Sequence, residues 1–489
     1  MDISKNTYQE LKKYYDNTLN IDKTTFKTSN DEPTPISCIE EMINKIPNDI
    51  WLKEDLKVLD PCCGNGNFFI PIYNKLLDNH DKKDILENIL YFNDINEDRI
   101  NNVKEIFCED KYNLNITQED FLEKECNIKY DLVVANPPYA LIDEDGKRTS
   151  KNHNLIKDFL DKTLKILKPN GYLLYITPDN WMSYADRNLL IKEITKLQII
   201  YLNIHTAKKY FKKIGSSFTW YIIQNCKYYK DIEVEGIWKK QLYSSLVKSQ
   251  ERKYIPLYYN NLIQSILSKT IDNDELIKFK VENSSYLHKY TKRNNIKDKK
   301  TDEFKYKLIH TPSQTVWSNI PHKYQDGYKV FISTTDRYMT FVDNCGMTQS
   351  IAFIKCEDEE QAKLYKSILD HPLYQFINNI CRWGNFNCNR ILQSFPIPDI
   401  DNIEEIYNYF NLTKEEIDLI ENDINNINKN IMNIVNNELD NLNISNNKKK
   451  RVIKKVVNLI NSKENSPNKL DDEISKKKVK RIARKKIDK

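Results

Sequence analysis

The stretch Lys57–Phe68, KVLDPCCGNGNF, predicts a β-strand, a tight turn and the first residues of a helix. The chain of 489 residues contains only nine glycines, so two of them one residue apart directly after a strand are informative. Such a turn lets the backbone approach a ligand closely at a helix N-terminus. It lacks the third glycine of a dinucleotide fingerprint and the Gly-Lys-Ser/Thr of a P-loop. Asp60, at the end of the strand, is placed to face an amino or ammonium group.

Short aliphatic runs separated by helical stretches continue this pattern through the N-terminal half of the chain. The runs are 56–59, 89–92, 132–134, 172–176, 199–202 and 221–223. Alternation of this kind predicts an α/β fold with a βαβ-type sheet. From about residue 236 to residue 400 the alternation stops and Tyr, Ser and Asn become more frequent. We therefore predict a domain boundary near Glu235.

Acidic residues follow the next two predicted segments. Asp94 ends the run ILYFND, the next predicted strand after the one that ends at Asp60. A carboxylate at the end of the second strand can accept two hydrogen bonds from a ribose diol. Asp120 and Phe121 follow a third short segment, where they offer an acceptor for an adenine amino group and a ring for the base. Three such signals at successive strand ends predict a ligand that contains ribose and adenine.

The stretch Asp131–Tyr139, DLVVANPPY, predicts a buried strand that runs directly into Asn-Pro-Pro-Tyr. An aromatic amine is a poor nucleophile because its lone pair is delocalised into the ring. The side-chain carbonyl of Asn136 and the backbone carbonyl of Pro137 can each accept a hydrogen bond from an exocyclic NH2, which frees that lone pair. Consecutive prolines fix the backbone so that both acceptors converge, and Tyr139 offers a flat face for the base.

These two stretches resemble motifs I and IV of the amino-methyltransferases that use S-adenosylmethionine. Among them the chain most resembles the gamma group of N6-adenine DNA methyltransferases, which includes the methylases of restriction–modification systems. Thr34-Pro35 and the following helical stretch are similar to motif X of that group, and residues 154–178 to motifs V and VI. Asn rather than Ser before Pro-Pro-Tyr implies N6 of adenine over N4 of cytosine. The resemblance covers residues 34 to about 225.

The resemblance implies a Rossmann-like S-adenosylmethionine methyltransferase domain and assigns roles to its residues. The implied cofactor-binding residues are Thr34, Asp60, Cys62, Gly64, Gly66, Phe68, Asp94, Ile95, Asp120, Phe121 and Asn136. The implied catalytic residues are Asn136, Pro137, Pro138 and Tyr139. The stretch 215–221 lies where the family carries the aromatic that holds a flipped base. Target-base and DNA contacts are expected from Tyr139, from Phe218 with Trp220 as its rival, and from Arg382.

The second half of the chain is similar, more loosely, to the target-recognition domains of restriction-associated methylases. The segments 346–354, 362–376, 382–386 and 395–398 carry this similarity. We predict an N-terminal segment at 1–33, a catalytic domain at 34–235 and an α+β target-recognition (DNA-binding) domain at 236–400. A helical isoleucine seam at 401–447 follows, with a capping box from Thr413 to Glu416, and a basic, disordered tail at 448–489 ends the chain.

Charge is unevenly distributed along the chain. Residues 448–489 carry 17 Lys+Arg against 5 Asp+Glu, whereas residues 1–447 carry 58 against 65. Cations cluster at 147–151, 208–213 and 292–300, and together with the tail they suffice for a groove that binds duplex DNA. Each cluster taken alone is more often a solvated face.

Several classes of protein are excluded by composition and spacing. No apolar run is long enough for a membrane span, no secretory signal is visible, and the ten cysteines form no C-x-x-C pair, so we expect an intracellular, soluble protein. The compartment stays open between cytoplasm or nucleoid and a nucleus or viral factory. The seven histidines show no metal-binding spacing. Only the short segment 1–33 precedes motif X, so any cognate restriction endonuclease is expected to be a separate protein.

The sequence therefore predicts a site-specific DNA methyltransferase that transfers a methyl group from S-adenosylmethionine to N6 of a flipped-out adenine. Asn-Pro-Pro-Tyr also occurs in enzymes that methylate RNA or a glutamine amide of a protein, which leaves that activity as an alternative. A non-catalytic, cofactor-dependent binding subunit is a third interpretation.

Overall fold

The computed structural model describes residues 1–21, 32–139, 155–186, 188–211, 217–335 and 337–424. The chain divides into two compact units. Unit 1 comprises Met1–Trp181 and Asp186–Tyr254, and unit 2 comprises Met182–Ala185 and the chain from Ile255 onward. The predicted tail at 448–489 lies outside the described residues. Within the described ranges, no helix is long and apolar enough to cross a membrane.

Unit 1 is built on a sheet of nine described strands in the order 3-2-1-4-5-7-6-8-9. The strands are β1 (Val58–Asp60), β2 (Leu90–Asn93), β3 (Asn115–Thr117), β4 (Tyr130–Ala135), β5 (Leu167–Pro178), β6 (Leu197–Ile204), β7 (Phe218–Lys227), β8 (Ile232–Trp238) and β9 (Gln241–Val247). Strands β1 to β5 pair in parallel, and β7 lies antiparallel between β5 and β6. This order confirms the predicted Rossmann-like α/β fold.

The helices of unit 1 alternate with its strands. They are α1 (Tyr8–Tyr14), α2 (Ile36–Ile43), α3 (Phe69–Leu76), α4 (Lys82–Asp84), α5 (Glu97–Ile106), α6 (Leu155–Ile166) and α7 (Leu189–Lys196). Apolar side chains of α2, α3 and α5 share one core with those of β1, β2 and β4. All six residues of β4 are buried, as expected for a parallel strand covered on both faces.

The positions of β1 and β4 in the strand order of the sheet indicate where a ligand can bind. The two strands are parallel neighbours, with Val58 opposite Leu132. Strand β2 lies on the other side of β1, and β5 on the other side of β4, so the strand order reverses between β1 and β4. Ligands of open α/β sheets bind outside the carboxyl ends of the strands at such a reversal. The Asp60–Gly66 turn and Asn136–Tyr139 follow the ends of these two strands.

The predicted boundary near Glu235 is wrong by about one hairpin. Strand β8 pairs in parallel with β6, and β9 pairs antiparallel with β8, so both extend the sheet of unit 1. The unit ends at Tyr254. Residues 232–238 alternate buried and partly exposed, a pattern that shows a strand but not the sheet it joins.

The predicted separation of residues 1–33 from the catalytic domain is also wrong. Helix α1 begins with a capping box in which Thr7 and Glu10 satisfy each other's backbone N–H groups. Leu11 and Tyr15 are buried in the core that contains α3 and β2. The backbone N–H of Ile3 donates to the carbonyl of Ile106, at the end of α5, over 2.8 Å. The N-terminal residues are therefore part of unit 1.

Unit 2 contains two four-stranded sheets and several helices, which confirms the predicted α+β class. Its strands are β10 (Glu282–Asn283), β11 (Ile296–Lys297), β12 (Tyr306–Thr311), β13 (Gln314–Ser318), β14 (Lys329–Ser333), β15 (Thr340–Asp343), β16 (Gly346–Met347) and β17 (Ile351–Lys355), in the orders 10-17-14-15 and 11-13-12-16. Its helices are α8 (Asn261–Lys269), α9 (Glu359–Leu369), α10 (Pro372–Ile380), α11 (Asn389–Gln393) and α12 (Ile406–Tyr409).

The first turns of the predicted isoleucine seam are helical over residues 414–424. The predicted capping box is confirmed, because the Thr413 N–H donates to the Glu416 carboxylate over 2.7 Å and the Glu416 N–H donates to the Thr413 hydroxyl over 3.3 Å. Ile420 and Ile424 are buried. The seam thus packs within unit 2 as far as residue 424, and the rest of it lies outside the described residues.

Candidate active site

The turn after β1 places its two glycines in different surroundings. Both have positive φ, +55° at Gly64 and +83° at Gly66. Residues other than glycine rarely adopt this backbone conformation. A Cβ on Gly66 would lie 2.8 Å from Cε2 of Phe107, whereas a Cβ on Gly64 would meet no atom within 4 Å. Gly66 therefore packs against the core side of the turn, and Gly64 faces open space where a ligand can approach its backbone.

This difference predicts different outcomes for the two alanine substitutions. Gly66→Ala should lower the free energy of unfolding more than Gly64→Ala, because strain of about 1–2 kcal/mol at positive φ is joined by overlap with Phe107. Gly64→Ala should act mainly on S-adenosylmethionine binding. Thermal unfolding and calorimetric titration of both variants test this. Equal loss of stability in the two variants would contradict the assignment of Gly64 to the ligand side.

Two buried carboxyl groups flank the turn. Asp60 is buried, its Oδ1 accepts the Cys62 N–H over 3.1 Å, and it forms no ion pair with any described residue. Burial raises the pKa of the Asp60 carboxyl well above its ordinary value, and the nearby Asp94 raises it further. A cationic partner would stabilise the ionised form of this buried carboxyl group, which fits the predicted ammonium group.

Asp94 follows β2 and braces the turn directly. Its Oδ2 accepts the Gly64 N–H over 2.8 Å and its Oδ1 accepts the Asn96 N–H over 2.9 Å. A carboxylate oxygen can accept more than one hydrogen bond, so these contacts are compatible with hydroxyl donors of a ribose. Ile95, the next residue, is 67% exposed, so an apolar side chain stands beside this carboxylate in solvent.

The Asn-Pro-Pro-Tyr segment lies against the glycine turn. The Cys62 thiol donates to the backbone carbonyl of Asn136, with 3.6 Å between sulfur and oxygen. Burial raises the pKa of this thiol well above its ordinary value, so it stays protonated and able to donate. Pro137 is buried and Pro138 is exposed, and the side chains of Asn136 and Tyr139 are partly buried. The structure therefore brings the predicted cofactor-binding and catalytic segments together.

Both ends of the Asn136 amide are engaged. Its Nδ2 donates to the Glu32 carbonyl over 3.0 Å and to the Thr34 hydroxyl over 3.2 Å. Its Oδ1 accepts the hydroxyl of Tyr139. These contacts assign the amide orientation, because the Glu32 carbonyl can only accept.

Phe218 and not Trp220 lies beside Tyr139. The ring centroids of Tyr139 and Phe218 are 6.0 Å apart, and Phe211 packs on Phe218 at 4.7 Å. Phe218 is the first residue of β7 and pairs with Pro178 at the carboxyl end of β5, whereas Trp220 pairs with Ile176, two residues deeper. Both side chains are buried, but Trp220 stacks on Tyr201 at 4.4 Å, away from Tyr139. The prediction that Trp220 contacts the target base is therefore wrong.

Of three other predicted site residues, two are buried and one is exposed. Phe68 is buried in the hydrophobic core at the start of α3, and Phe121 is buried against Phe159 at 5.3 Å. Neither ring is exposed to a ligand in this structure. Asp120 is exposed, and its Oδ1 accepts the Leu122 N–H over 2.9 Å. Asp120 is thus the accessible member of the Asp120–Phe121 pair.

Arg382 lies in unit 2 and is only 8% exposed. Its guanidinium donates to the carbonyl of Asn385 over 2.6 Å, which closes the loop after α10. The neighbouring Trp383 donates to the carbonyl of Ile255 over 2.8 Å. A buried arginine that holds its own loop does not present its guanidinium to a base edge, so the predicted DNA contact of Arg382 is wrong.

Several residues that support the site were not predicted. Tyr15 in the N-terminal region donates to the carbonyl of Asn65 over 2.6 Å and so holds the glycine turn from behind. Asn93 donates to the carbonyls of Pro61 and Glu119, over 2.9 and 3.0 Å, and so links the ends of three strands. Its position beside Asp94 at a strand end could have indicated this role. Tyr15 gave no sequence signal, because it lies 50 residues from its partner.

The residues at this edge fit S-adenosylmethionine. Open space at Gly64 admits a ligand against the turn, the buried Asp60 suits an ammonium group, and Asp94 suits a ribose diol. The exposed Ile95 and Asp120 offer an apolar surface and an acceptor for an adenine. Cys62 links the turn to the Asn-Pro-Pro-Tyr segment through its hydrogen bond to the Asn136 carbonyl, whereas Gly66 packs on the core side of the turn.

Residues 36–211 match the family model of the Eco57I restriction-modification methylases. The chain is 28% identical over 185 residues to the type II methyltransferase M.VspI of Vibrio sp. (strain 343), an alignment that covers 35% of this chain and 42% of the relative. It is 32% identical over 148 residues to the type II methyltransferase M.AccI of Acinetobacter calcoaceticus, with 28% and 25% covered. The resemblance to restriction–modification methylases is therefore confirmed, and the chain spans less than half the length of these relatives.

Solved structures show more distant similarity. A class I S-adenosylmethionine-dependent methyltransferase of Listeria monocytogenes aligns with 48% of this chain and 74% of its own, at 17% identity and a TM-score of 0.37. A nuclease-deletion mutant of the Type ISP restriction-modification enzyme LlaGI, solved with a DNA substrate mimic, aligns with 82% of this chain and 55% of its own, at 12% identity and a TM-score of 0.49. Both scores are below 0.5, so the fold assignment rests on the strand order.

Proposed function

We propose that this protein is a site-specific DNA methyltransferase that transfers a methyl group from S-adenosylmethionine to N6 of an adenine in duplex DNA. One observation carries the proposal: Asn-Pro-Pro-Tyr follows β4 at the strand-order reversal and contacts the glycine turn after β1, with Cys62 Sγ 3.6 Å from the Asn136 carbonyl oxygen. The match to restriction–modification methylases over residues 36–211 supports the same activity.

The bound cofactor would supply an electrophilic methyl group on a sulfonium. The chain's own contribution is to hold and activate the nucleophile. The Asn136 side-chain carbonyl and the Pro137 backbone carbonyl each accept one hydrogen bond from the adenine amino group, which draws N6 towards tetrahedral geometry and frees its lone pair. Positioning of two reactants in this way can supply several kcal/mol of the activation barrier. No covalent bond to the enzyme is needed.

The target adenine must leave the duplex to reach this edge of the sheet. Extrusion of a base costs about a few kcal/mol, which stacking on aromatic side chains offsets. Tyr139 is only partly buried and has Phe218 beside it, so its ring can stack on the base. On arrival, the adenine amino group takes the place of the Tyr139 hydroxyl at Oδ1 of Asn136. Tyr139 thus exchanges a hydrogen bond for stacking when substrate binds.

Unit 2 is proposed as the target-recognition domain, and its cations provide a testable surface. The segment 292–300 carries five exposed cations, Lys292, Arg293, Lys297, Lys299 and Lys300. Cations on a continuous segment of this kind suit phosphate groups of duplex DNA, whose binding depends on released counterions. A cognate restriction endonuclease that acts on the same DNA site is proposed as a partner.

Removal of two of these cations should weaken DNA binding and its salt dependence. The double variant Lys292→Gln, Arg293→Gln is expected to reduce the slope of log K against log salt by about 2 if both residues contact phosphates. The matched control is Lys363→Gln, Lys366→Gln on α9, where each lysine already pairs with an acid four residues away. Fluorescence anisotropy with a labelled duplex measures both. Equal slopes in the variant and the wild type would exclude phosphate contacts by this pair.

The activity itself is tested with tritiated S-adenosylmethionine offered in parallel to duplex DNA, total RNA and ribosomal proteins. Digestion of the DNA to nucleosides should place the label in N6-methyladenine. Label in RNA or protein alone would overturn the proposal in favour of an RNA or protein-amide substrate. The match to restriction–modification methylases does not support such a substrate. Bound cofactor without label in any substrate would indicate a binding subunit.

A further inference from the structure

Thr34 holds a buried position directly behind the catalytic amide. Its side chain is buried, and its hydroxyl lies 3.2 Å from Nδ2 of Asn136, a residue 102 positions later in the chain. Its backbone carbonyl accepts the Asn67 side-chain amide over 2.9 Å, which ties it to the residue after the glycine turn. Thr34 also precedes Pro35, the residue that caps α2, and the proline restricts its backbone. The hydroxyl is therefore presented from a fixed position.

The orientation of the Asn136 amide decides whether it can act on an amine. An asparagine side chain has one acceptor end and one donor end, and a flip of the amide plane exchanges them. Only the acceptor end can accept a hydrogen bond from an exocyclic amino group. The structure turns the donor end towards Glu32 and Thr34 and leaves Oδ1 to the Tyr139 hydroxyl. The Tyr139 hydroxyl donates to Oδ1, so Oδ1 faces the side of the site where the amino group of the target base is proposed to donate.

We propose that Thr34 is a positioning residue that fixes the Asn136 amide with its carbonyl oxygen towards the target amine. The inference rests on the proposed amino-methyl transfer and deepens it, because it assigns to Thr34 an action through Asn136 instead of the cofactor contact expected from sequence. The Glu32 carbonyl holds the same end of the amide, but it belongs to the backbone and cannot be altered by substitution. Thr34 is thus the side chain that holds the donor end of the amide, opposite the Tyr139 hydroxyl at Oδ1, and its substitution can change the orientation.

The test compares Thr34→Val with Thr34→Ser. Valine keeps the shape of threonine but replaces the acceptor with a methyl group close to Nδ2, whereas serine keeps the hydroxyl and loses only a methyl. We expect Thr34→Val to lower the single-turnover rate about five- to tenfold, the value of roughly one hydrogen bond. Thr34→Ser should stay within about twofold of wild type in rate. In both variants the Kd for S-adenosylmethionine, measured by calorimetry, should change by less than about twofold.

Thermal unfolding of both variants shows whether the fold is kept, and rescue of the rate by serine separates positioning from packing. Thr34→Val turning over like wild type at saturating cofactor and DNA would overturn the inference. So would an unchanged saturated rate with a raised cofactor Kd, since that result would make Thr34 a cofactor contact. Equal loss of rate in serine and valine variants would also overturn it, in favour of packing by the methyl. Wild-type protein that methylates no adenine would instead refute the proposed function.

Discussion

Replacement of Asn136 by alanine is expected to lower the rate of methyl transfer at least about a hundredfold while S-adenosylmethionine still binds. The substitution removes the acceptor that interacts with the adenine amino group as its geometry changes, and the loss of one preorganised polar group at a reacting centre costs about 10²–10³ in rate. Asn136 has a partly buried side chain, and its backbone carbonyl, which accepts the Cys62 thiol, is retained in the variant.

Single-turnover kinetics at saturating cofactor and DNA measure this effect, and calorimetry measures the Kd for the cofactor. Asn402→Ala, at an exposed residue of unit 2, is the control for loss of activity during preparation of a variant. Normal turnover of Asn136→Ala would remove the central role of this residue. A parallel loss of cofactor binding would show that the amide supports the glycine turn instead of the target amine.

Replacement of Asp94 by alanine is expected to weaken S-adenosylmethionine binding about a hundredfold. The carboxylate accepts the Gly64 and Asn96 backbone N–H groups, so its removal frees the turn that the ligand must approach. It also removes the acceptor proposed for the ribose hydroxyls. Hydrogen bonds to charged groups contribute about 1.5–3 kcal/mol each, and about 2.7 kcal/mol corresponds to a hundredfold change in Kd.

Calorimetric titration tests this expectation, with Asp98→Ala as the matched control. Asp98 lies four residues later in the first turn of α5 and is exposed. Asp94→Asn keeps one carbonyl oxygen and should fall between alanine and wild type. An unchanged Kd for Asp94→Ala would exclude Asp94 from the cofactor site. A large effect of Asp98→Ala would indicate that binding responds to the charge of this helix N-terminus in general.

Local patterns were sufficient for the parts of the site that lie at strand ends. The glycine turn at 60–66, Asp94 and Asn136–Tyr139 each follow an apolar run, and a parallel sheet places such positions at one edge. The capping box at Thr413 and Glu416 was equally local, since both partners lie within one helical turn. The positions of these residues could be predicted because the determining patterns span few residues.

Contacts between distant segments were out of reach of the same reasoning. Phe218 and Trp220 are aromatic residues two positions apart, and both are buried. Only the antiparallel pairing of β7 with β5 places Phe218 at the strand end, beside Tyr139, and Trp220 two residues deeper. Arg382 and Phe121 look like exposed recognition groups in the sequence, but tertiary packing buries both. The end of unit 1 at Tyr254 likewise depends on strand pairing that no local pattern records.

The sequence by itself determined the class of sheet and the positions of the glycine turn and of Asn136–Tyr139 at strand ends, because hydrophobic periodicity and turn chemistry act over a few residues. Only the tertiary structure decided which aromatic lies beside Tyr139, how the N-terminal region braces the turn and which way the Asn136 amide points. Each of these depends on hydrogen bonds or packing between residues far apart in the chain, such as Tyr15 with Asn65 and Thr34 with Asn136. The burial of polar groups forces such pairs to form, and the fold alone chooses the partners.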